Sequence, residues 1–371
     1  MEKEEVLNLE KTTKKKKKLK LWVKIFIIVL LLFIILLMPI IIYNHNLKPV
    51  SKEPNKTYFT IDSGMSAYNI GEKLYDEGFI KSSNAFKIYV KLNNITDFKS
   101  GTFLLDKSDG TKNIINTLLS GKTESIKITF KEGKTIRGVA SEIAKNTNIK
   151  EEDFYNKINN SKYIDSLINK YWFLTNDIKN KDIYYALEGY LYPETYIFSL
   201  DVNVETIINK MLDQTNKVFT KYKDLFNKSK YSVNEIVTMA SIIESEGIYK
   251  DDRKNIAGVF YNRLNKNMPL GSDVTTYYAF KVDLGTRDIT KKELNTYNPY
   301  NTRGPKMEGK LPIGAISNFS ETSLEAALNP NNNDYLFFVA DKSGKTHFTK
   351  TYQEHQKIIK ELKQANNWIE W

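Results

Sequence analysis

Residues 231–247 read YSVNEIVTMASIIESEG. Ser232 followed three residues later by Glu235 is a capping box, so a helix begins here. At about 100° per residue the apolar side chains fall on a broad arc. Ile236, Val237, Ala240 and Ile243 lie on one side of it, Met239 and Ile242 on the other. Two carboxylates interrupt it. Glu244 falls between Ala240 and Val237, and Glu246 between Ile242 and Met239. Thr238, Ser241 and Ser245 occupy the polar face. Both glutamates are thus expected to face protein or a cleft. Desolvation raises a carboxyl pKa, and a carboxylic acid kept protonated near neutral pH can act as a general acid. The competing expectation is an ion pair with Arg253 or Arg263.

Downstream, residues 251–264 form a second helix, and NRLNKNMPLGSDVTTYYAF places Asn262, Arg263 and Asp273 close in sequence to the glutamates. YNPYNTRGP (297–305) is a turn-rich loop. KLPIGAISN (310–318) leads into a helix over 321–328, and DYLFFVAD (334–341) into a strand. Helices first and a short strand system later read as α+β.

Upstream, FTIDSGMSAYNIGEKLYDEG (59–78) resembles ITFKEGKTIRGVASEIAKNT (128–147). Each reads as strand, Gly turn, cap and helix, with Gly64 matching Gly133 and Ser66 matching Thr135. A partial third copy covers 104–121. The first unit continues with a helix near 82–92 and a strand at 101–106. This strand–helix–helix–strand outline is similar to a LysM module, which binds N-acetylglucosamine polymers; a simple spacer is the alternative. Residues 151–230 are helical, polar and aromatic-rich. In LEGYLYPETYIF (187–198), alternating Tyr190, Tyr192 and Tyr196 would share one strand face, either packed or stacked on sugar rings.

Ile25 to Ile42 is an unbroken apolar run. Taken over 21–43 it spans roughly 35 Å as a helix, enough to cross a bilayer. A cleaved signal peptide has a shorter core and a small-residue cleavage site, and none follows. Residues 1–20 hold eight lysines against four glutamates, and Lys14 to Lys18 lie just before the run. The positive-inside rule then puts the N-terminus in the cytoplasm and the working region outside the membrane. The expected organisation is a basic tail (1–20), a transmembrane helix (21–43), a stalk (44–57), a LysM-like module (58–122), a connecting α+β region (123–230) and a catalytic region (231–371). The formal charge of +11 is mild and spread beyond the tail, which does not demand nucleic acid. With no cysteine and only His45, His347 and His355, a disulfide framework, a thiolate metal site and zinc hydrolase chemistry are not expected.

The ordered motifs ASIIE, FYNRL, SDVTTYYA, YNPYNTR, LPIGAI, AALNP, YLFFVAD and HFTKTYQEH resemble the MltG (YceG-like) family of endolytic murein transglycosylases. EGYLYPETY, which contains Glu188, and FKSGTFLL fit the same family. The resemblance implies an α+β fold with an N-terminal anchor, a LysM-like module and a mainly helical catalytic domain. It implies a catalytic Glu244, with Glu246, Asn262, Arg263, Asp273, Tyr300, Asn301, Thr302 and Glu188 supporting or binding substrate. It also implies peptidoglycan strands as substrate, peptidoglycan synthases (penicillin-binding proteins) as partners, and no cofactor or metal. The family usually has Asp-Pro-Thr where this chain has Asp273-Val274-Thr275, and Pro-Pro-Gly where it has Pro312-Ile313-Gly314. A lytic transglycosylase needs one carboxyl rather than the usual pair. That group protonates the glycosidic oxygen, then takes the proton of the muramic acid C6 hydroxyl as O6 closes onto C1. Hydrolysis by water and an inactive peptidoglycan-binding scaffold are the other readings.

Overall fold

The computed structural model describes residues 20–368 except 63, 122 and 248. The basic tract Lys14 to Lys18 lies outside the described residues. The chain divides between residues 124 and 125 into two compact units.

The first unit opens with α1 (Leu21–Asn46), whose apolar window has a mean hydropathy of 3.6 and none of whose window is buried. Lys56–Ile61 (β1) pairs antiparallel with Gly101–Asp106 (β2), Phe59 opposite Phe103. Between them run α2 (Ala67–Asp76) and α3 (Ser83–Leu92), and α4 (Thr111–Ser120) follows. Ser66 and Ser82 cap α2 and α3, each accepting from the third residue on. Phe59, Ile70, Leu74, Phe86, Phe103 and Ile115 form the core. The expected stalk is not free. Leu47 is buried, its carbonyl accepts from the Thr111 amide at 3.0 Å, and the Ser51 amide donates to Lys107 O. Asn55 N donates to Asp106 Oδ1 at 2.8 Å. Polar residues and prolines mimic a linker, but backbone groups of Leu47, Ser51 and Asn55 bond to the unit this segment adjoins.

The second unit begins with β3 (Ser125–Thr129), α5 (Ile136–Asn146), α6 (Glu151–Ile158) and α7 (Ser161–Lys170). β4 (Thr195–Ser199) pairs antiparallel with β3. Gly64 and Gly133 both take a left-handed φ, near +79° and +76°, with Ser66 and Thr135 capping the helix that follows each. The repeat is thus one turn built twice. Only Tyr196 of the three alternating tyrosines lies in β4. Gly189, at φ +84°, and the turn before Pro193 place Tyr190 and Tyr192 ahead of the strand. Tyr190 is buried and donates to Asn234 Oδ1 at 3.1 Å, and Tyr196 is buried as well.

Next come α8 (Val204–Lys221), α9 (Lys223–Lys228), α10 (Val233–Glu246), α11 (Arg253–Asn265), α12 (Asp273–Ala279), α13 (Lys291–Leu294) and α14 (Glu321–Leu328). β5 (Phe337–Ala340) and β6 (Thr346–Thr349) make an antiparallel pair, and α15 (Tyr352–Gln364) packs on both. One core runs from Ile128 through Ala327, so residues 123–230 and 231–371 share it. At its centre α10 packs against α11, α12 and α14. Its capping box forms as expected, with Ser232 N donating to Glu235 Oε2 and Glu235 N to Ser232 Oγ. Two of the three residues of its expected polar face, Thr238 and Ser241, are buried, as is every residue from Ile236 to Ile243, while Ser245 is partly buried. The small Ser241 lets the chain at 316–317 approach, its hydroxyl accepting from Ile316 N at 3.0 Å.

Candidate active site

Both glutamates sit in the last turn of α10, and their surroundings differ. The Glu244 side chain is 6 % exposed and pairs with Arg253 at 2.9 Å through Oε1. Its Oε2 accepts from Ser320 N at 2.9 Å, Ser320 Oγ at 2.6 Å and Ser323 Oγ at 2.8 Å. Ser320 is the N-cap of α14, so the carboxylate meets the positive end of that helix. Arg253 also bonds Gly247 O and the Ser320 and Thr322 hydroxyls. A guanidinium and a backbone N–H can only donate, so both Glu244 oxygens are committed as acceptors. The ion-pair expectation is met here, by Arg253.

Glu246 is partly open at the end of the helix. Its Oε1 accepts from Ser272 Oγ at 2.6 Å, and among the described residues Oε2 has no hydrogen-bond partner. Burial of the carboxyl pushes its pKa up, and neighbouring Asp273 adds to this. The Ser272 hydroxyl, Arg303 and Arg263 pull the other way without cancelling it. An acid held above the ordinary carboxylate range, beside an open edge, can donate a proton to a bound molecule.

The elements around Glu246 explain the other candidates. Asp273 is the first residue of α12, 57 % exposed, and forms an ion pair with Arg303. Arg263 reaches from α11 to Leu270 O and Leu336 O, both at 2.6 Å, and lies over the Phe337 ring. Burial and Arg303 lower its pKa to about 10. It braces the turn that delivers Ser272. Asn262 donates to Asn333 O and Tyr335 O, fastening the approach to β5. Tyr300, Asn301 and Thr302 are fully buried. Tyr300 Oη accepts from Tyr184 N. The Asn301 amide donates to Glu293 O and Thr296 O while its oxygen accepts from Thr276 Oγ1. Thr302 Oγ1 accepts from Ser272 N and bonds Thr275 Oγ1. These three are buried and hold the loop. Glu188 is buried in the same unit, where its carboxyl accepts from Ile136 N, in the first turn of α5, and from Tyr278 Oη. Burial pushes its pKa to about 8.

Ser272, Arg303, Ser320 and Ser323 escape the sequence reading. Ser272 carried a signal, since it precedes α12 as a cap residue. The serines that bind Glu244 stand 76 and 79 positions away and carried none. The two motif departures are accommodated. Val274 sits in the first turn of α12, where proline and valine share the same backbone. The Ile313 N–H donates to Pro299 O at 3.0 Å, a bond a proline could not make.

The YceG-like family matches residues 59–361. The chain is 39 % identical over 325 residues to an endolytic murein transglycosylase of Bacillus subtilis (strain 168), covering 86 % of this chain and 89 % of that protein. It is 32 % identical over 326 residues to a protein of the same name from Streptococcus pneumoniae serotype 2 (strain D39), covering 83 % of this chain and 59 % of the relative. A crystal structure of a yceG-like protein from Listeria monocytogenes is 40 % identical, with TM-score 0.59, covering 82 % of this chain and all of that one. With the motifs in order and the match running across both units, this chain belongs to the YceG-like family.

Proposed function

We propose that this protein cuts peptidoglycan glycan strands from within, at the bond between N-acetylmuramic acid and N-acetylglucosamine, with Glu246 as the acid. It is a lytic transglycosylase and thus a lyase, in line with its relatives named endolytic murein transglycosylases. The observation that carries the choice of residue is the contrast at the end of α10. Glu244 is spent on Arg253 and the α14 cap, whereas Glu246 has one hydrogen-bond partner among the described residues and a raised pKa. The sequence points to Glu244; the geometry favours Glu246, with Glu244 as the group that fixes the helix end.

Glu246 gives its proton to the glycosidic oxygen as the C1–O4 bond breaks. It then takes the proton of the C6 hydroxyl as O6 bonds to C1, leaving a 1,6-anhydro end. The nucleophile belongs to the substrate, so its effective concentration is high and no activated water is needed. Asp273, whose negative charge favours the protonated form of Glu246, would also stabilise the positive charge of the developing oxocarbenium. The long apolar helix α1 supports a single-pass anchor with the N-terminus in the cytoplasm, which would hold the enzyme where nascent strands emerge. Penicillin-binding synthases are the fitting partners there. The β1–α2–α3–β2 order supports a LysM-like role for the first unit.

The test is digestion of purified peptidoglycan by the full chain in detergent, with product ends read by mass spectrometry. Anhydro-muramic ends from the wild type and from none of the Glu246→Gln reactions are expected. Reducing ends would make the protein a hydrolase. No cleavage even of uncrosslinked strands would leave a binding scaffold.

A further inference from the structure

Arg303 is a cationic group beside Asp273 and Glu246 with donors to spare. Its backbone is fixed, because Arg303 N donates to the stapled Asn301 Oδ1 at 3.2 Å and Thr302 is locked to Ser272 and Thr275. Its side chain is 42 % exposed and pairs through Nε with Asp273. Among the described residues its two terminal nitrogens have no partner. Arg263 has no such freedom, since Nε and Nη1 are both held by carbonyls. Arg303 and Arg263 both act on the Glu246 carboxyl, and of the two it is Arg303 that is exposed. An ion pair this exposed contributes little to stability. Its geometric effect is larger: it sets the rotamer and leaves the Nη pair as an open fork, the arrangement that takes a carboxylate through two parallel bonds.

We propose that Arg303 is a substrate-recognition residue that binds a carboxylate carried by the muramic acid side of the glycan strand. Two sources share this chemistry. One is the lactyl group of a muramic acid without a peptide; the other is a carboxylate of an attached peptide stem. The inference rests on the transglycosylase reading above. Recognition through Arg303 favours strands whose substituents keep their negative charge, and it acts on binding rather than on the proton transfer.

The experiment compares wild type, Arg303→Ala and Arg303→Lys as full chains on three strand preparations: stems intact, stems removed by an amidase to bare the lactyl carboxylate, and all carboxylates amidated. Arg303→Ala is expected to lose about tenfold in kcat/KM, or ~1.4 kcal/mol, through KM on a carboxylate-bearing preparation. Because Arg303 also lowers the Glu246 pKa, kcat is compared at a pH below the basic limb of both proteins, where it should stay within about twofold of wild type, in keeping with loss of uniform binding. Arg303→Lys keeps the charge without the fork and should fall between. The difference vanishes on amidated strands. Loss on stem-free strands assigns the lactyl group; loss confined to intact strands assigns the stem. An equal loss on amidated strands, or none on any preparation, overturns the proposal. A wild type that produces no anhydro ends anywhere removes the underlying activity instead, and this inference with it.

Discussion

The two sides of the last turn of α10 take the same residue type and treat it in opposite ways. On the Glu244 side an arginine, two serine hydroxyls and a backbone N–H close around the carboxylate. On the Glu246 side, among the described residues, one serine donates to one oxygen, and the ion pair of neighbouring Asp273 with Arg303 is half-exposed. A carboxylate becomes structural when donors surround it and becomes a proton source when burial outweighs them. Burial alone does not separate the two.

The largest effect that would sharpen this contrast is on activity. Glu246→Gln should lower anhydro-end production by about a thousandfold, within the range of a lost general acid, while its melting temperature stays near that of the wild type. The same change two residues earlier should do the reverse. Glu244→Gln leaves Arg253 buried beside a neutral amide and should cost about 3–5 kcal/mol of stability, read as a lower denaturation midpoint. The folded fraction that remains should keep much of its activity. A Glu244→Leu, Arg253→Met pair should lose less than the two single changes added together. If Glu244→Gln were stable and inactive, the roles would be exchanged.

A third buried carboxyl extends the comparison to stability and pH. Glu188 is held at about 8 against an ordinary 4.5. Between those values the folded state keeps a proton that the unfolded chain has lost. Stability therefore falls as pH rises from about 4.5 to 8, by at most about 4–5 kcal/mol from this group. Glu188→Gln keeps a neutral group of the same shape and should flatten that decline. Melting curves from pH 5 to 9 measure it; parallel curves for the two proteins would mean that Glu188 titrates normally.

Local chemistry was legible in the sequence. The caps Ser66, Ser82, Thr135 and Ser232, the repeated Gly turn and the central helix all depend on neighbours within a few residues. What could not be read came from distant chain. Ser320 and Ser323 reach Glu244 only because α14 packs on α10. The buried hydroxyl of Ser241 looks like part of a solvent face until the chain at 316–317 covers it. The segment around Leu47 reads as a stalk because its composition is polar, while its hydrogen bonds run to residues some fifty to sixty positions later. Asn262, Tyr300, Asn301 and Thr302 were found by motif and turn out to be braces, whereas Arg303, inside the same quoted loop, is exposed beside Asp273.

The smallest effect tests the tuning of Glu246 itself. An acid that must be protonated loses activity as pH rises through its pKa, so that limb of the kcat/KM profile reports on it. The Ser272 hydroxyl favours the ionised form, and Ser272→Ala should move the limb to higher pH. One hydrogen bond of about 1 kcal/mol corresponds to somewhat under one pH unit. Asp273 favours the protonated form, and Asp273→Asn should move the limb to lower pH by a similar amount, the more so because it frees the charge of Arg303. Opposite displacements from adjacent residues are hard to obtain by general damage to the fold. A limb that stays fixed in both variants would mean that the titrating acid is not Glu246, and the contrast at the end of α10 would then concern architecture alone.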